Sequence, residues 1–141
     1  MATKEVKTTN APQAIGPYSQ AINHNGLCFL SGQIPLDTSG NLVKGGLRDQ
    51  AEQVFKNIEA ILIEQDATLK NIIKLIVYLL DINNFDVING LMAELFEPPV
   101  LNINAYSPFL VGRTFSPLFN EYSIASFNSP VTSETKCRRP G

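Results

Sequence analysis

The chain of 141 residues has no tryptophan, two cysteines and a single histidine, and it carries no excess of positive charge. Each shortage removes a class of function. Cys28 sits in the apolar run "LCFLSG" and Cys137 in a polar tail. Two such thiols make neither a disulfide framework nor a zinc site, and Cys28 reads as a small core residue. His24 stands in the turn-like "NHNG" and reads as a solvated loop residue, so no Ser-His-Asp set can be assembled. Eleven basic residues face thirteen acidic ones, a net charge of -2. Lys136, Arg138 and Arg139 fall in the last twelve residues, which leaves residues 1–129 with eight basic against twelve acidic. An acidic body lacks the broad positive field used in non-specific nucleic-acid binding. The longest apolar run, "IIKLIVYLL", is short and holds Lys74, so no membrane span is expected. The opening "MATKEVKTTN" has no apolar core for a signal peptide, and Glu5 suits a transit peptide poorly. A reducing, cytoplasmic setting is the expectation.

What is present is one domain's worth of core. Apolar residues make up 44% of the chain, and nothing in it reads as a repeat or a dividing linker. "LCFLSGQIPL" predicts a strand from Leu27 to about Ser31, then a short extended piece around Ile34 to Leu36. "DTSGN" at 37–41 is a turn cluster in which Gly40 can take positive φ. After "LVKGG", the segment "LRDQAEQVFKNIEAILIEQ" has apolar residues at 47, 51, 54, 55, 58, 61 and 62. Those steps of three and four define a helix with one buried stripe. Asp49 and Glu52 sit in its first two turns, and Asp66 can supply a left-handed exit.

"IIKLIVYLL" (72–80) is a strand pattern buried on both faces. A strand, a helix and a strand in succession imply a right-handed crossover with those two strands parallel. "NNFDVINGLMAELF" predicts a second helix, capped by Asn83 or Asn84, with Phe85, Ile88, Met92, Leu95 and Phe96 as its stripe. An interior Gly90 weakens it by roughly 1 kcal/mol relative to alanine. Beyond Phe96 only "EYSIASF" is strand-like, and "NSPVTSETKCRRPG" reads as a frayed polar tail. The expected architecture is a single α+β domain, residues 1–127, with two helices on one face of a mixed sheet, and a tail at 128–141.

No glycine-rich phosphate loop follows the first strand, so candidate chemistry falls to polar residues in apolar surroundings. Asn89 lies at the edge of the second helix's stripe, where a buried amide needs partners; a helix-to-loop hydrogen bond is the plainer account. Tyr18 follows Gly-Pro, and such a ring is more often core with a wet hydroxyl. Ser31-Gly32 ends a strand, and its bare backbone could admit a ligand. Glu121 opens a short apolar strand, usually an exposed position and occasionally a general base.

"NAPQAIGPYSQAI", "LSGQIPLD", "QAEQVFKNIEAIL" and "DINNFDVIN", in that order and spacing, resemble the RidA/YjgF family over about residues 8–96. The resemblance implies a chorismate-mutase-like α+β fold, a homotrimer with ligand clefts between subunits, and no metal or cofactor. It also implies hydrolysis of reactive 2-imino acids, such as 2-iminobutanoate and 2-iminopropanoate, to 2-keto acids and ammonia. Tyr18 matches the family's cleft tyrosine, Ser31, Gly32 and Asn89 match cleft positions, and Glu121 matches the glutamate that orients the attacking water.

One family feature is missing. Where the family has Ala-Arg-Ser, whose arginine holds the substrate carboxylate, this chain has "AYS", with Tyr106 in the arginine's place. The following Leu-Pro-Lys turn is absent too. A tyrosine can donate one hydrogen bond to a carboxylate but brings no charge and no bidentate geometry. Losing such a cation costs on the order of 3–5 kcal/mol. If the segment is extended, Arg113 lies at an odd offset and faces the other side of the sheet. The stretch from Glu97 onward is either diverged coding sequence or the product of another exon or reading frame. The implied function is therefore an impaired imine deaminase. The alternatives are a catalytically silent small-carboxylate-binding or interaction module and, third, the RNA cleavage attributed to some relatives.

Overall fold

The computed structural model describes residues 2–96, 102–106 and 136–138. It is an α+β domain built from strands β1 (Lys4–Val6), β2 (Ala21–His24) and β3 (Leu27–Leu30), helix α1 (Leu47–Ile63), strand β4 (Lys74–Tyr78), helix α2 (Phe85–Leu95), and strands β5 (Asn102–Tyr106) and β6 (Lys136–Arg138). Strands β1, β2, β3 and β6 form an antiparallel sheet in that order, and β4 and β5 form a parallel pair.

Strands β2 and β3 make a tight hairpin in which His24 pairs with Leu27. Its two loop residues, Asn25 and Gly26, have φ of 54° and 80°. That is the mirror-image turn whose twist matches the flanking strands, and Asn-Gly is the pair that best tolerates it. His24 is thus the last residue of a strand, exposed as expected, with its Nδ1 3.1 Å from Thr3 Oγ1.

Helix α1 follows its sequence pattern closely. Ala51, Val54, Phe55, Ile58, Ile61 and Leu62 are buried, all on the predicted stripe. Asp49 caps the start by accepting the Gly46 N–H at 2.8 Å, which satisfies one of the orphan donors of the first turn. At the far end Asp66 takes φ of 53°, the left-handed exit, and the Ala67 N–H reaches back to the Leu62 carbonyl. The turn at 37–41 also forms as expected, with Gly40 at φ 83° and Leu36 bridged to Leu42.

Strand β4 is buried on both faces, with Leu75, Ile76 and Val77 all nearly inaccessible, and is shorter than the run at 72–80, with Ile73 exposed just before it. The expected parallel pairing of the Leu27 strand with the 72–80 strand is not what forms. β3 is flanked by β2 and β6, while β4 takes β5 as its parallel neighbour in the register Lys74–Asn102 to Tyr78–Tyr106. The parallel crossover therefore runs through α2 rather than α1. Burial patterns show which strands are interior but leave open which edges meet.

Helix α2 buries Ile88, Leu91 and Met92, and Phe96 packs edge-on against Phe55 of α1 with ring centroids 5.7 Å apart. The cap is displaced from the expected asparagines. Asp81 accepts the Asn83 N–H at 2.9 Å and opens a short 3-10 turn, Ile82–Asn84, that leads into the helix, and the Asn84 side chain makes no capping bond. Gly90 is interior and exposed, and a β-carbon there would meet nothing within 4 Å.

One apolar core joins these parts. Val6, Ala21, Cys28 and Leu30 come from the antiparallel sheet; Leu75, Val77 and Leu79 come from β4 and its exit; α1 and α2 supply most of the rest, with Ala11, Ala67, Leu69 and Ile72 from the connecting segments. Within the tail expected to be frayed, residues 136–138 lie against β3, with Cys137 directly opposite Cys28. The strand-like "EYSIASF" lies outside the described residues.

Candidate active site

The stretch before β2 is irregular, and its polar residues divide into two kinds. Gln20 is buried and acts as a peg. Its Oε1 accepts the Thr8 N–H at 2.7 Å, and its Nε2 donates to the carbonyls of Thr8 at 3.1 Å and Pro12 at 2.8 Å. The arm at residues 8–12 is irregular, so its backbone groups have no ladder to satisfy them, and a buried amide does that work instead. Ser19 is half-buried and donates from Oγ to Glu5 at 3.0 Å.

Tyr18, by contrast, is half-exposed, at 49%. Its N–H bonds back to the Gly16 carbonyl at 2.8 Å, a three-residue turn, and Ile15 beside it is exposed as well. An aromatic ring and an isoleucine left open on a turn make a surface suited to a ligand or a neighbouring subunit.

Ser31 joins this loop from the other strand. Its N–H donates to the Gln20 carbonyl at 3.0 Å and its Oγ to the Ser19 carbonyl at 2.6 Å. The structure therefore brings together the backbone after Tyr18, Ser31 and the adjacent half-buried Gly32. With its hydrogen engaged on Ser19, the Ser31 hydroxyl offers a ligand only its lone pairs.

The other nominated residues are not part of this group. Asn89 is exposed on α2 and shares no hydrogen bond with Tyr18, Ser31 or Gly32. The argument that its amide is buried and needs partners is thereby corrected. It stands about 100° around the helix from Ile88, far enough to leave the apolar stripe for solvent. Tyr106 ends β5, its backbone paired with Tyr78. Glu121 and Arg113 lie outside the described residues. Among the described residues no cluster of His, Cys, Asp and Glu could hold a metal, and no helix is long and apolar enough to cross a membrane.

Charged groups held away from their ordinary pKa lie on the surface of the scaffold. Glu94 of α2 hydrogen-bonds Arg48 of α1 through two contacts, at 2.6 and 3.1 Å, which lowers the Glu94 pKa and raises that of Arg48. Both are solvent-exposed, so the pair adds little to stability.

Sequence reasoning missed Gln20 as the anchor of the site loop. A glutamine beside a strand start carries no signal of its own, because the arm that folds over it is irregular.

The family of this α+β domain is given by comparison with known proteins. The family model described as Endoribonuclease L-PSP matches residues 8–112, and the chain belongs to this RidA/YjgF family. It is 44% identical over 97 residues to a RutC family protein of Pyrococcus abyssi, covering 68% of this chain and 76% of that one. It is 41% identical over 129 residues to the human 2-iminobutanoate/2-iminopropanoate deaminase, covering 91% of this chain and 92% of the human protein. The crystal structure of yeast Mmf1 superposes with a TM-score of 0.72 at 36% identity, over 75% of this chain and 85% of that one.

Proposed function

We propose that this protein is a cofactor-independent imine deaminase, acting in a homotrimer, that hydrolyses 2-iminobutanoate and 2-iminopropanoate with reduced efficiency. The observation that carries this reading is the 41% identity along nine-tenths of the chain to a relative named for that activity. The open Tyr18 on its pinned loop supports it.

The chemistry asks little of the protein. A protonated imine carbon is already electrophilic, so water can add without a covalent enzyme intermediate. The carbinolamine formed loses ammonia, and the carbonyl oxygen of the 2-keto acid is the oxygen of that water. What the site supplies is position and shielding. In this reading Glu121 accepts a proton from the water as it adds, and Tyr18 donates its phenol hydrogen to the substrate. The Ser31 lone pairs face the iminium N–H, since the serine hydrogen is committed to Ser19. Gly32 leaves room beside it, and Asn89 contributes from α2 at the boundary with a neighbouring subunit.

Tyr106 stands where the resemblance places a carboxylate-binding arginine, and this favours a second reading, a silent binding module for small carboxylates. One experiment separates the two. 2-Iminobutanoate is generated from threonine by a dehydratase, and 2-ketobutyrate release is followed with and without the protein. Acceleration over background is expected, with Tyr106→Arg raising kcat/KM by about tenfold or more, since a missing desolvated cation is worth at least that. Rates at background for both proteins, with 2-ketobutyrate still raising the thermal midpoint, would establish the binding module instead.

A further inference from the structure

The Tyr18 ring lies back on Gly16. A β-carbon at Gly16 would stand 3.0 Å from Tyr18 Cε1 and 3.3 Å from Cδ1, and among the described residues it would meet nothing else within 4 Å apart from its chain neighbours. Carbon atoms rest at about 3.5–4.0 Å, so the two cannot coexist unless one moves by several tenths of an ångström. The backbone is poorly placed to move. Upstream, the Tyr18 N–H is held on the Gly16 carbonyl. Downstream, the Ser19 and Gln20 carbonyls are held by Ser31, and the Gln20 side chain is locked on the arm at 8–12. The ring is the part that yields, and the phenol oxygen at its far end swings furthest.

We infer that Gly16 is a positioning residue for Tyr18: its bare Cα is the seat that fixes where the phenol hydroxyl stands toward the ligand. This rests on the reading of Tyr18 as a ligand-contacting group. Gly16 itself touches no substrate. The position does not need glycine for its backbone, because Gly16 is not among the residues with positive φ. Alanine is therefore the smallest probe of the ring's seat, and because Gly16 precedes Pro17 the thermal midpoint is read beside activity to check that the fold is kept.

The test uses the full chain in four forms: wild type, Gly16→Ala, Tyr18→Phe and the double variant. Each is assayed for imine hydrolysis and for its thermal midpoint. Gly16→Ala is expected to keep the midpoint and lose roughly three- to tenfold in kcat/KM, a displacement of a fraction of an ångström being worth less than the 10²-fold of a full one. The double variant is expected to be no worse than Tyr18→Phe alone, because the seat acts only through the hydroxyl. Full activity of Gly16→Ala beside an impaired Tyr18→Phe would overturn the inference, as would losses that multiply in the double variant.

The seat has a readout independent of turnover. The Gly16 Hα resonances should be displaced from ordinary glycine values by the Tyr18 ring current, an effect kept in Tyr18→Phe and abolished in Tyr18→Leu. Its absence in the wild type overturns the seat itself. A ring current present together with a silent Tyr18→Phe overturns the role of Tyr18, and the positioning role falls with it.

Discussion

The chain before α1, residues 8–36, and the α1–β4 unit, residues 47–79, hold their places by different means. In the second, α1 satisfies its backbone within the helix and β4 pairs with β5, so most of the side chains facing inward are apolar: Ile61, Leu62, Leu75 and Val77 are all buried, with Gln50 and Asn57 of α1 the buried polar exceptions. In the first, the backbone on either side of the β2–β3 hairpin lies largely outside any ladder, and side-chain amides reach in to serve it. Gln20 holds the arm at Thr8 and Pro12, while Asn57, buried on α1, donates to the carbonyls of Ile34 at 3.2 Å and Leu36 at 2.9 Å. The site loop belongs to the hydrogen-bonded half. An irregular segment fixed at a few points can present Tyr18 at a defined place while the residue itself stays open.

This contrast predicts unequal failures. Ile61→Ala should cost about 2–5 kcal/mol of global stability, the range for truncating a fully buried isoleucine. Urea unfolding would show a lower midpoint for the whole domain. A loss comparable to a surface substitution would mean that the core closes around the gap, and the contrast would weaken.

Gln20→Ala should cost less, about 1–3 kcal/mol, through the Thr8 N–H and the carbonyls left without partners. Its signature is also local. Amide exchange should quicken at residues 8–12 while α1 remains protected. Uniform loss of protection would show that the arm and the α1–β4 unit unfold as one body, which removes the distinction between the two regions.

The same contrast explains what could be read without coordinates. Helix α1 was legible because seven apolar positions recur at steps of three and four, and β4 because a nearly continuous apolar run rich in β-branched residues admits few alternatives. Asp66 was legible from local backbone preference. Strand partners were not, since β4 pairs with β5 and not β3, and edge choice depends on the whole assembly. Asn89 went to solvent because a residue at a stripe's edge is free to turn either way. Within the candidate site, Tyr18, Ser31 and Gly32 were nominated from motif order, whereas the contacts of Gln20 and Gly16 come from the irregular path of the chain around them. Glu121 could be named only by its place in the sequence.

The smallest effect concerns the turn at 37–41, a piece of the hydrogen-bonded half built around a carboxylate. Asp37 Oδ1 accepts the backbone N–H groups of Ser39 and Asn41, each at 2.9 Å. The Asn41 N–H is the leading cause of an Asp37 pKa below its ordinary value of 3.8. The sign follows from linkage. A carboxyl whose folded pKa is depressed contributes its stability in full above the ordinary value, and that contribution is lost as pH falls through the folded pKa. The carboxylate lies at the surface, so the consequence is confined to the turn. Following the Asp37 carboxyl by NMR should give a midpoint below 3.8, with exchange at the Ser39 and Asn41 amides, corrected for intrinsic pH dependence, rising over the same interval. Asp37→Asn keeps an acceptor oxygen for both N–H groups and should hold the turn without the pH dependence, whereas Asp37→Ala should loosen it at every pH. A titration at or above 3.8 would mean that the two N–H groups do not close on the carboxylate in solution. The turn would then rest on its backbone bonds alone, the Asp37 N–H to the Asn41 carbonyl and the Gly40 N–H to the Asp37 carbonyl.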